Sequence, residues 1–66
     1  MTVTVNGREL ELAPEATVAA LLAELGIEGP YALVERNGEQ VERARYADVE
    51  LEEGDELVVA RPVAGG

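Results

Sequence analysis

The chain has 66 residues, no cysteine or histidine, two tyrosines as its only aromatics, and a net charge of −9 from fourteen acids against five arginines. A chain of this size fits one small domain resting on an aliphatic core, without disulfides, thiolate metal sites or imidazole ligands. The acidity opposes binding to nucleic-acid backbones and anionic membranes and suits a basic partner surface. No apolar run approaches the roughly 20 residues of a membrane span. No basic-then-apolar leader opens the sequence, so a cytoplasmic protein is expected.

Thr2-Val3-Thr4-Val5 and Arg8-Glu9-Leu10-Glu11-Leu12 both alternate polar with apolar, and Asn6-Gly7 stands between them. Asn-Gly in that setting signals a two-residue hairpin turn. Such a turn sets Val3 opposite Leu10 and Met1 opposite Leu12 on one face. Ala13-Pro14-Glu15-Ala16 breaks the alternation, and Thr17 carries an N-capping side chain. Val18, Leu21, Leu22 and Leu25 follow the i, i+3, i+4, i+7 spacing of an amphipathic helix, expected over 17–26. Gly26 suits the left-handed residue that ends many helices, with Ile27 folding back as its apolar contact.

Further on, Gly29-Pro30 reads as a turn and Tyr31 to Arg36 as a strand. Asn37-Gly38 makes a second hairpin turn into Glu39-Gln40-Val41-Glu42. Arg43 to Asp48 lacks alternation and is expected to form a loop with a short helical turn, with Tyr46 as a core plug. Glu53-Gly54-Asp55 is a turn. Leu57-Val58-Val59-Ala60 is apolar at consecutive positions, which predicts a short strand covered on both faces. The order predicts an α+β fold of the ubiquitin-like β-grasp type, a mixed sheet of four to five strands packed on one α-helix. Residues 1–60 would form that domain, and 61–66 a flexible C-terminal tail.

The side chains offer little chemistry. Without His, Cys or Lys, and with no Ser beside a base, nucleophilic and metal catalysis lack their usual groups. The neighbouring carboxylates Glu50 with Glu52 and Glu53 with Asp55 read as solvated faces, and Arg43 and Arg45 are expected to pair with nearby acids. The absence of lysine leaves no side-chain amine to accept an isopeptide bond. Reactivity is expected instead at Gly65-Gly66. As a free C-terminus, Gly66 would present an α-carboxylate on a stretch without Cβ atoms, able to enter a slot too narrow for any side chain.

The ordered set of features resembles the ThiS family, the sulfur carriers of thiamine biosynthesis. It comprises the Asn6-Gly7 hairpin, Thr17-Val18 with Leu21-Leu22, Glu35-Arg36-Asn37-Gly38-Glu39, Val41, Arg43, Tyr46, Glu53-Gly54-Asp55-Glu56-Leu57 and Ala64-Gly65-Gly66. The likeness covers nearly the whole chain. Glu42 departs from it, since the family often has proline before the arginine. The Arg61-Pro62-Val63-Ala64 approach is also similar to the small subunit of molybdopterin synthase.

The resemblance implies a carrier without its own active site, bound cofactor or metal. A ThiF-like adenylyltransferase would use ATP and Mg to turn the Gly66 carboxylate into an acyl-adenylate. Sulfur from a cysteine desulfurase persulfide would then give a thiocarboxylate. A ThiG-like thiazole synthase would take that sulfur for the thiazole ring. Pro62, Val63, Ala64, Gly65 and Gly66 would thread into the partner, with Pro62 stiffening the root by fixing φ. Residues 61–66 extended reach at most ~20 Å. The same tail chemistry would serve a tRNA-thiolation carrier or a ubiquitin-like protein modifier. A β-grasp interaction module with an incidental tail is the remaining alternative.

Overall fold

In the computed structural model, residues 1–27 and 32–61 are described. Five strands, β1 (Thr2–Val5), β2 (Arg8–Glu11), β3 (Leu33–Arg36), β4 (Glu39–Gln40) and β5 (Glu56–Ala60), form one sheet in the order β2-β1-β5-β3-β4. β1 and β5 run parallel and the other neighbours antiparallel, so the sheet is mixed. One helix, α1 (Val18–Glu24), and a short 3-10 turn at Arg43–Arg45 complete the described elements. The β-grasp expectation holds.

Local chemistry accounts for the elements. Asn6 and Asn37 both adopt φ of 51°, followed by Gly7 at 84° and Gly38 at 86°. Two successive positive φ values make the primed turn whose twist matches a hairpin, and Asn-Gly tolerates it best. The first turn pairs Val3 with Leu10 as expected. Met1 and Leu12 exchange main-chain hydrogen bonds just beyond the assigned strands.

The helix starts where Thr17 Oγ1 accepts from the Ala20 N–H at 3.1 Å. Two further first-turn donors find carbonyls outside the helix, Val18 N–H on Val49 O and Ala19 N–H on Tyr46 O. At the other end Gly26 takes φ of 72°, with its N–H on Ala23 O and the Ile27 N–H on Leu22 O. That pair of bonds is the Schellman motif anticipated for Gly26 and Ile27. Val18, Leu21 and Leu22 are buried against Val3, Val5, Val34, Leu57 and Val59 of the sheet. Tyr46 is buried too, its hydroxyl donating to Ala32 O at 2.8 Å, so it is the plug expected of it.

Three expectations need correction. The final strand is not covered on both faces: Leu57 and Val59 are buried, whereas Val58 is 52% exposed and Ala60 is exposed. One helix can cover only one side of a sheet, so alternate residues of an apolar run are left in solvent. Leu25 belongs to the helix spacing but caps the helix at 38% exposure, one turn beyond the sheet contact. The strand expected over 39–42 is only Glu39–Gln40, although the Val41 N–H still bonds Val34 O. The Gly29-Pro30 turn and the Tyr31 start of β3 lie outside the described residues.

Candidate functional site at the root of the C-terminal tail

β5 is an interior strand, bonded to β1 on one side and β3 on the other, and it leads directly into Arg61. Its end is held on both sides. Leu33 pairs with Ala60 in the β3 ladder. On the other side β1 turns away at Asn6, and the Asn6 side chain continues its pairing. Nδ2 donates to Val59 O at 3.0 Å, and Oδ1 accepts from the Val59 N–H at 2.9 Å. An amide matched to a peptide in this way satisfies two main-chain groups that the departing strand would otherwise leave open.

The start of β5 is held by a second asparagine. Asn37 Oδ1 accepts from the Glu56 N–H, and Asn37 Nδ2 donates to Asp55 Oδ1 at 3.0 Å. Asp55 is the one buried charged side chain among the described residues. Its Oδ2 accepts from Arg36 Nε at 2.8 Å and from the Glu52 N–H at 2.7 Å. Burial pushes the Asp55 carboxyl upward, but bonds from the Glu52 N–H, Asn37 and Arg36, together with the arginine charge, outweigh it and hold the carboxyl below its usual value. Asp55 is therefore structural, where the sequence suggested a solvated face. Sequence reasoning missed this network and the Asn6 clamp; the signal was a polar pair, Arg36-Asn37, preceding a turn glycine.

Two surfaces flank the root of the tail. On the uncovered sheet face Leu33, Val58 and Ala60 form an apolar strip. The strand register puts Glu9, Glu11, Glu35 and Glu56 on that same face, and Thr2 Oγ1 donates to Glu11 Oε1 across it. On the helix side a groove with a floor of Val5, Leu10, Ile27 and Val59 is rimmed by Arg8 and Arg61. Arg43 and Arg45 make no ion pair among the described residues, contrary to expectation; the 3-10 turn carries them outward, both exposed.

The expected threading residues Pro62, Val63, Ala64 and Gly65, and Gly66 as the reactive end, lie outside the described residues. No group of three His, Cys, Asp or Glu among the described residues is placed to hold a metal ion. Among the described residues no helix is long and apolar enough to cross a membrane.

A five-strand mixed sheet grasping one helix defines a ubiquitin-like β-grasp protein. The ThiS family model matches residues 3–66, so the chain belongs to the ThiS family. Its backbone superposes on the crystal structure of the thiamine biosynthesis protein ThiS from Geobacter metallireducens with a TM-score of 0.82 and 32% identity, covering 100% of both chains. The solution structure of a thiamine biosynthesis protein from the same organism gives a TM-score of 0.83 at 32% identity, over 100% of this chain and 88% of the other. SAMP1 from Haloferax volcanii, at 22% identity and a TM-score of 0.62 over 98% and 97% of the two chains, shares the fold. The chain is also 39% identical over its full 66 residues to a thiazole synthase from Paramagnetospirillum magneticum, and spans 20% of that protein's length.

Proposed function

We propose that the chain is a sulfur carrier of thiamine biosynthesis, a co-substrate of other enzymes without an active site of its own. One observation carries the reading: family membership that extends to Gly66, in a fold whose interior strand is anchored up to the residue before the tail. The thiazole synthase that contains a domain like this one supports the acceptor, since the two then work side by side in one polypeptide.

The chemistry follows from what a carboxylate lacks. It is a poor acyl donor until converted to a mixed anhydride. A ThiF-like adenylyltransferase with Mg–ATP supplies that step: a Gly66 oxygen attacks the α-phosphorus and pyrophosphate leaves. A persulfide sulfur formed by a cysteine desulfurase attacks the acyl carbon and AMP departs. A thiol then cleaves the acyl disulfide, so that the thiol is oxidised and Gly66 retains one sulfur as a thiocarboxylate. A ThiG-like thiazole synthase takes up that sulfur. Bringing an anion to a triphosphate needs cations. Arg61 is the one cation near the tail in sequence, so the enzyme contributes the rest. The Leu33–Val58–Ala60 strip, which shares its sheet face with Glu9, Glu11, Glu35 and Glu56, suits docking on an apolar partner surface with a basic border.

Intact-mass analysis tests this. Incubation with the adenylyltransferase, Mg–ATP and a sulfur source should raise the mass by the difference between a sulfur and an oxygen atom, and deletion of Gly66 should abolish the gain. An unchanged mass where a control carrier reacts overturns the proposal.

A further inference from the structure

We infer that the groove rimmed by Arg8 and Arg61 is a second contact site, which receives a carboxylate-bearing apolar segment of the adenylyltransferase. The inference rests on the sulfur-carrier reading and adds to it a surface on the opposite side of the sheet from the Leu33–Val58–Ala60 strip.

The placement follows from strand alternation. Arg8 pairs with Val5, whose side chain is buried on the helix side, so Arg8 belongs to that side as well. Leu57 and Val59 are buried on the helix side, and Arg61 continues the same alternation beyond the end of β5. Two strands that are not neighbours, β2 and β5, thereby bring their arginines to one groove across the Asn6 turn. Among the described residues neither arginine has an ion-pair partner. Among the described residues Glu9 is the one acid lining the groove, and its register partner Thr4 belongs to the opposite face. Leu25, exposed at the helix end, adds apolar surface beside the two guanidinium groups.

In a chain of fourteen acids and five arginines, this is a local reversal of sign next to the segment that must be gripped. Gly66 lies five residues beyond Arg61 in the sequence. Extended, they reach at most ~18 Å, so an enzyme that holds Gly66 at its nucleotide must lie against the tail root. A surface basic enough to suit the acidic body of the carrier would be repelled at Arg8 and Arg61. Carboxylates there, flanking an apolar side chain seated over Ile27 and Val59, turn that repulsion into a fixed orientation.

The test uses the full chain and the adenylyltransferase of the same genome, in calorimetric titration without ATP and in ATP–pyrophosphate exchange. Arg8→Glu, remote from the tail in sequence, should weaken binding and raise KM by about tenfold while kcat stays near wild type. Arg8→Lys should retain most of the affinity, and added salt should shrink the difference between them. Circular dichroism of both variants checks that each is folded. Folded Arg8→Glu with wild-type affinity and KM overturns the inference and leaves the carrier reading intact. A wild-type chain that fails to bind the enzyme overturns both.

Discussion

Asp55 shows how a single residue can be misjudged from its neighbours. Among Glu52, Glu53 and Glu56 it looks like one more solvated acid, yet it is 6% exposed and accepts from Arg36, Asn37 and the Glu52 N–H. Two of those partners are 18 and 19 positions away, and no local pattern reports a contact that only folding creates. The folded carboxyl is held below its ordinary value. Its contribution is therefore fully present above the unfolded value and is lost as pH falls through the folded one. Thermal melts from neutral pH into the acid range should show stability dropping below the usual carboxylate range, and Asp55→Asn should flatten that part of the profile. At neutral pH Asp55→Ala should cost about 2–4 kcal/mol by chemical denaturation, because Arg36 and two N–H donors lose their acceptor. Asn6 makes the complementary point: its turn was legible from Asn-Gly, but the grip of its side chain on Val59, 53 positions on, was not.

At the level of elements, signals that act within a few residues were read correctly. The Thr17 cap, the Gly26–Ile27 helix stop and both Asn-Gly turns are set by short-range hydrogen bonds and by which residues tolerate positive φ. What periodicity could not give was where a face stops being covered. Leu25 shares the helix spacing of Leu21 and Leu22 but is left 38% exposed at the helix end, beside the open groove, and Val58 sits in an apolar run with its side chain 52% exposed. Truncation separates the two situations. Leu21→Ala, at a position with no exposure, should cost about 2–5 kcal/mol in urea unfolding. Leu25→Ala should cost under about 1 kcal/mol. Equal losses would mean that the helix packs through a different face.

For the molecule as a whole, charge and the uncovered sheet face act together. The apolar strip of Leu33, Val58 and Ala60 shares its face with Glu9, Glu11, Glu35 and Glu56, Glu35 standing directly opposite Val58, and on the proposed function that arrangement suits a partner with an apolar surface and a basic border. Val58→Lys, set opposite Glu35, should leave the melting temperature nearly unchanged while weakening adenylyltransferase binding about tenfold or more in calorimetry. Composition made the acidic surface readable. The faces beside the tail root were not readable, because strand order alone brings Arg8 to Arg61 on one side of the sheet and Leu33 to Val58 on the other. The clamps at the two ends of β5 bear on mechanics as well. A pull applied through Arg61 along the strand acts across the hydrogen bonds to both neighbouring strands, which then share the load instead of parting one by one. On the proposed function, an enzyme drawing on this strand through Arg61 would load both ladders at once and leave the small domain folded.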